Sequence, residues 1–131
     1  MLTRQDYIEN ILDHHDNPRN NRELDPADIH ASGGNPGCGD IVSMFARIGE
    51  DGRILEATYQ GEGCTISQAA ASMLTEELVG KSLDEVRTMS IEDVVEEMGK
   101  DVVSTRTRCA TLALTIVKSA VEDYERERRT T

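Results

Sequence analysis

Three cysteines lie far apart in the chain, at Cys38, Cys64 and Cys109, and each falls where a thiol can do chemistry. Cys38 ends the run Ser32-Gly-Gly-Asn-Pro-Gly-Cys38, followed by Gly39 and Asp40; Cys64 ends Gly61-Glu-Gly-Cys64. Glycine permits tight turns and close backbone approach, so both runs read as loops with sulfur at the tip. Cys64 opens one expected helix, and Cys109 stands in the first turn of another. A helix N-terminus favours the thiolate, and Arg106 and Arg108, just before Cys109, push the same way. Asp40 follows Cys38 by two residues, and in an extended segment positions i and i+2 point to one side. Cys38 and Asp40 can therefore grip one ion, with Cys64 and Cys109 completing a tetrahedron. Three thiolates and a carboxylate form an acceptable Zn²⁺ set. They also form a Cys₄ iron–sulfur set with a harder oxygen in the fourth place, which holds a cluster less firmly and suits a site that releases its cargo. A zinc-loaded site would carry a net charge of about −2, which Arg106 and Arg108 could offset. The spacing contains no CxxC pair, so from spacing alone the alternative of small buried thiols stays open. His14, His15 and His30 are set aside as ligands, because none adjoins a cysteine loop.

Several elements must position these groups. Thr3 with Asp6 reads as an N-cap for a helix over 4–15, with Tyr7, Ile8, Ile11 and Leu12 on one face and Asn17-Pro18 at its end. Residues 17–31 read as a long connection. Ile41 to Ile48 alternates Val42, Met44, Ala46 and Ile48 against polar residues. After the turn Gly49–Gly52, Ile54 to Gln60 follows, with Leu55, Ala57 and Tyr59 on one face, and the two strands make a hairpin. After Cys64 comes a helix with Ser67 as its cap, an apolar stripe of Ala69, Ala70, Met73, Leu74 and Leu78, and Gly80 as its stop. Ser82 and Ser90 read as caps of two short acidic helices, 83–87 and 91–97. A last helix over 107–127 repeats Leu112, Ala113, Ile116, Val117, Ala120, Val121 and Tyr124 at three–four spacing.

Composition narrows the function classes. The chain has 131 residues and a net charge of −11, which predicts a single domain over 1–131 with a core of its own. The acidic balance and the single Phe and absent Trp argue against a nucleic-acid partner, which needs cations on phosphates and rings under bases. No apolar run approaches the roughly 18 residues of a membrane span, and Met1–Asn10 does not read as a signal peptide. The reading is a cytoplasmic protein with free thiols. Only 3 of the 14 cations are lysines (Lys81, Lys100, Lys118); such an acid-rich, Lys-poor surface suits high salt, where self-repulsion is screened.

Taken in order, Ile11-Leu-Asp-His-His-Asp-Asn-Pro-Arg-Asn20, Asn35-Pro-Gly-Cys-Gly-Asp40, Gly61-Glu-Gly-Cys-Thr-Ile-Ser67 and Arg106-Thr-Arg-Cys-Ala-Thr-Leu112 resemble the IscU/SufU/NifU N-terminal family of iron–sulfur cluster assembly proteins. The resemblance implies an α+β fold, with a small antiparallel sheet of about three strands, helices on one side and a long C-terminal helix; the third strand would lie near Ile29–Ser32. It implies Cys38, Asp40, Cys64 and Cys109 as ligands of a [2Fe–2S] cluster, iron or zinc. It also implies a pyridoxal-phosphate cysteine desulfurase as sulfur donor and apo iron–sulfur proteins as recipients. Scaffold-type members carry His before the third Cys, where this chain has Arg108, and many carry a Pro-rich chaperone segment, whereas residues 99–105 hold no Pro. Zinc-binding sulfur-acceptor members share the Asp-His-His-Asp-Asn-Pro-Arg-Asn stretch but carry an insertion before the third Cys that this chain lacks. The expected role is a non-enzymatic scaffold and sulfur carrier, with Cys38 and then Cys109 as the thiolate that attacks the donor's persulfide. Two rivals are a zinc-dependent sulfurtransferase and a structural zinc domain that only binds proteins. A hydrolytic zinc enzyme is a poor fit, since no general base adjoins the ligands.

Overall fold

A computed structural model describes residues 2–35 and 39–129. Helix α1 (Arg4–Asp16) begins at the expected cap: Thr3 Oγ1 accepts from the Asp6 N–H at 3.2 Å and Asp6 Oδ2 accepts from the Thr3 N–H at 2.9 Å. Three strands follow, β1 (Ile29–Asn35), β2 (Asp40–Ile48) and β3 (Ile54–Glu62), in one antiparallel sheet of order β1-β2-β3. Helices α2 (Thr65–Leu78), α3 (Leu83–Arg87), α4 (Ile91–Met98) and α5 (Thr107–Arg129) complete the chain. No helix among the described residues is long and apolar enough to cross a membrane.

The sheet buries one face against α2 and α5. Val42, Met44 and Ala46 alternate inward along β2, and Ala57 and Tyr59 do so along β3. They meet Ala71, Leu74 and Leu78 of α2 and Ala113, Leu114, Val117 and Val121 of α5. Each large aliphatic side chain buried here contributes on the order of 1.5–3 kcal/mol. A second cluster joins Ile11 of α1 to Ala69 and Ala70 of α2, Met98 of α4, Val103, and Ala110 of α5. The α+β architecture with helices on one side is thus as the family resemblance implies.

Four local expectations need correction. Leu55 does not face the core: it is 64% exposed, while Ile54 is buried. The register shifts at Arg47/Ile48, where Ile48 pairs Ile54 and Arg47 pairs Glu56, so Leu55 has no partner across the ladder. Such a bulge resets the inside–outside alternation, which a strict period of two cannot foresee. Ser67 is not the cap of α2; Cys64 occupies that position and Ser67 is the third helical residue. Ser90 occupies the N-cap of α4 but makes no side-chain capping bond, unlike Ser82, whose reciprocal bonds with Glu85 start α3. The connection after α1 ends at 28, because β1 takes residues 29–35. Its residues cross the sheet from the edge of β3, where the Tyr59 N–H donates to the Asn20 carbonyl, to the start of β1. Arg47 Nε donates to the Pro26 carbonyl and Arg22 pairs with Glu56 along the way. This strap lies over the face the helices leave open, where Phe45 is buried and His30 stacks on it at 4.3 Å.

Candidate metal centre

The antiparallel pairing brings the first two donors together. The last pair of β2 and β3 is Ile41 with Glu62, so the start of β2 and the exit of β3 adjoin. At that exit Gly63 has φ +146°, and a Cβ there would sit 2.1 Å from Asp40 Oδ1. Only a glycine admits both the conformation and the approach. The chain then turns into α2 with Cys64 as N-cap, and the Cys64 N–H donates to Asp40 Oδ1 at 2.8 Å. Packing of α5 against α2 brings in the third donor, Cys109, from the first turn of α5.

One ligand atom from each of Asp40, Cys64 and Cys109 lies within 4.8 Å of the others. A tetrahedral zinc with bonds of about 2.0–2.3 Å sets its donors about 3.3–3.8 Å apart, so closure by about 1 Å suffices. Asp40 and Cys109 are each 1% exposed and Cys64 is half-buried. The position has the donors of a cation site, a buried carboxylate and two thiols, and the two helix N-termini favour the thiolate form of the sulfurs. Burial pushes the Asp40 carboxyl up, but the Cys109 thiol, the Cys64 N–H, the Ser67 hydroxyl and the Cys64 thiol all bond it, and the sum holds it below its ordinary value. Asp40 is therefore ionised at neutral pH, as a ligand must be. The donor chemistry, soft sulfur with one hard oxygen, suits zinc or an iron–sulfur cluster.

The structure thus brings together three of the four residues expected as ligands. Cys38, the expected fourth ligand and first-choice sulfur acceptor, lies outside the described residues. Arg106 and Arg108 are exposed at the start of α5, where the Arg106 carbonyl accepts from the Ala110 N–H. The three histidines lie elsewhere: His14 bonds Ser72, His15 pairs with Asp16, and His30 stacks on Phe45. Ser67, read from sequence as a cap, instead touches the centre, with Oγ 3.8 Å from Cys64 Sγ. The available signal was its spacing, since residues three apart share a helix face.

Residues 6–131 match the model of the NifU-like N-terminal domain. Among curated proteins, the iron–sulfur cluster assembly scaffold protein IscU of Escherichia coli K12 is 33% identical over 125 residues, covering 93% of this chain and 96% of that protein. The iron–sulfur cluster assembly enzyme IscU of Drosophila melanogaster is 34% identical over 122 residues, covering 91% of this chain and 78% of that one. Among solved structures, the N-terminal part of a nitrogen-fixing NifU-like protein from Brucella abortus shares the fold, with a TM-score of 0.75 at 19% identity, covering 95% of this chain and 99% of that one. This chain belongs to the NifU-like N-terminal domain family.

Proposed function

We propose that the chain is an iron–sulfur cluster assembly scaffold. In this reading it accepts sulfur from a cysteine desulfurase, holds a [2Fe–2S] cluster on Cys38, Asp40, Cys64 and Cys109, and passes it to apo-proteins. One observation carries the reading: donors from β2, from the N-cap of α2 and from the first turn of α5 meet within 4.8 Å, among them the only two described cysteines. Kinship with proteins named for cluster assembly supports it.

The chain's own residues have definite tasks. A thiolate, Cys38 first and Cys109 second, attacks the outer sulfur of the donor's persulfide. A new S–S bond forms on this chain, the donor's S–S bond breaks, and the donor cysteine leaves as thiolate. Arg106 and Arg108 favour the anionic sulfur nearby. Asp40 supplies the hard oxygen, the weakest match for iron among the four, and so the point at which the cargo is released. The hydrophobic clusters that join sheet and helices do not depend on the centre, which favours a scaffold over a structural zinc domain whose fold needs its metal.

Purification without oxygen, followed by reconstitution with a desulfurase, cysteine and iron, tests the reading. Brown protein with iron and sulfide in equal amounts is the expected result. A colourless protein that holds one zinc and still takes up sulfur supports the zinc-dependent acceptor instead. Sulfur uptake untouched by Cys→Ser changes at 38, 64 and 109 would refute both.

A further inference from the structure

We propose that Ser67 is a positioning residue of the centre, its buried hydroxyl serving as the hydrogen-bond donor that orients the Asp40 carboxylate and the Cys64 sulfur toward a bound ion. The proposal rests on the reading of Asp40, Cys64 and Cys109 as ligands. Ser67 is 1% exposed. Its Oγ lies 3.0 Å from the Cys64 carbonyl and 3.8 Å from Cys64 Sγ, and it accepts from Gln68 Nε2 at 3.3 Å. The Ser67 hydroxyl is also among the groups that hold the Asp40 carboxyl below its ordinary value.

A hydroxyl has one hydrogen and two acceptor lone pairs. Gln68 engages the oxygen as acceptor, so the hydrogen remains to be assigned among the Cys64 carbonyl, the Asp40 carboxylate and the Cys64 sulfur. The carbonyl does not depend on it, since it already accepts the helical Gln68 N–H at 3.2 Å. When a metal displaces the Cys64 proton, the sulfur becomes an acceptor only, and a bond to an ionised group outranks one to a neutral carbonyl. Ser67 then turns its hydrogen to the ligands, with no backbone change required. Gln68 is placed for this by Gly61, where a Cβ would come within 3.2 Å of the Gln68 amide and 2.5 Å of the Ile41 carbonyl. Gly61, Gln68 and Ser67 thus run as a chain of contacts from the end of β3 to the ligands.

The test compares wild type, Cys64→Ser and Ser67→Ala. Zinc affinity is measured against a chromogenic chelator, the cobalt–thiolate absorption band after Co²⁺ loading, and thermal unfolding of the metal-free chain. Alanine is smaller than serine and helix-favouring, so Ser67→Ala should fold. Loss of such an outer partner typically weakens metal binding about 10–100-fold. The expected result for Ser67→Ala is a loss in that range and a shifted cobalt band, with a metal-free midpoint close to wild type. Unchanged affinity and band, or weakened affinity with an unmoved band and a lowered midpoint, overturns the proposal and leaves Ser67 a structural residue. If Cys64→Ser binds zinc as wild type does, the ligand reading itself falls, and the role of Ser67 with it.

Discussion

At the start of α2, Asp40, Cys64, Ser67 and Cys109 share one buried polar cluster; a turn and a half further along, Ser72 and Thr75 share another with His14, Arg19 and Asn20. In the second cluster the Ser72 and Thr75 hydroxyls are fully engaged. Ser72 Oγ accepts from the Arg19 N–H at 2.9 Å and meets His14 Nδ1 at 2.8 Å. The other ring nitrogen, His14 Nε2, faces Glu76 at 3.7 Å. Thr75 Oγ1 donates to the Ser72 carbonyl at 2.7 Å and accepts from Asn20 Nδ2 at 3.1 Å. These bonds fasten α1 and the strap onto α2. In the first cluster the Cys64 N–H, the Ser67 hydroxyl and both thiols turn toward the Asp40 carboxylate; once a metal takes the two thiol protons, the carboxylate and sulfurs offer more acceptor capacity than the remaining hydroxyl and N–H can fill. Matched burial joins elements, whereas an excess of acceptors leaves room for a cation. The Asp-His-His-Asp-Asn-Pro-Arg-Asn stretch belongs on this evidence with the fastening.

Exchanging single residues between the two clusters tests the contrast most sharply. Cys64→Ser should cut zinc affinity at least about 100-fold, beyond the usual effect of an outer-shell partner, with little change in metal-free stability. Ser72→Ala should do the reverse: affinity within about twofold, and stability lower by about 1–3 kcal/mol in urea unfolding, because it leaves buried partners unpaired. If both variants lose both properties alike, the distinction collapses. Gly63→Ala should damage the two properties together. It forces a Cβ against Asp40 Oδ1 and strains a backbone only glycine tolerates, at a cost of about 1–3 kcal/mol, and chelator competition should show zinc binding weakened about 10-fold or more.

pH sharpens the picture away from the centre. Burial, then Arg19, lowers the His14 pKa below its ordinary value, against the opposing pull of Glu76 and Asp13. The unfolded chain then binds the proton first as pH falls, so stability drops below pH about 6.5, by at most about 1.4 kcal/mol per pH unit. His14→Gln should lessen that drop. Glu77 behaves oppositely: burial, then its bond and repulsion with Glu97, pushes it up to about 8. Its folded form holds the proton longer, so stability falls as pH rises from about 4.5 through about 8. Glu77→Gln should remove the fall between pH 6.5 and 8, an effect on the order of 1 kcal/mol after allowance for solvent screening. The smallest effect expected is a rise of a few degrees in the thermal midpoint with KCl, spread over both clusters, as salt screens the net charge of −11. A flat response would remove the high-salt reading.

Legibility followed the range of the interaction. The Thr3 and Ser82 caps, the stripes of α2 and α5 and the alternation in β2 are set by neighbours within about one turn or one strand, and they stand where the pattern places them; Leu12, expected on the buried face of α1, is instead 47% exposed. Leu55 departs from the pattern because a bulge depends on the partner strand, and Ser67 because a Ser before an Ala-rich run resembles a cap until the chain's turn at Gly63 assigns that place to Cys64. The Ser72–His14 bond joins residues 58 positions apart, and no local signal carries it.

By itself the sequence determined which residues could serve as soft and hard donors, that each lay at a loop or helix start, and that the surface would be strongly acidic, because side-chain chemistry and local periodicity suffice for all three. Tertiary structure alone decided that Asp40, Cys64 and Cys109 meet, that Ser67 joins them, and that His14 does not. Those outcomes depend on the β2–β3 register and on how α1 and α5 pack against α2, and register and packing are set by contacts between residues remote in the chain.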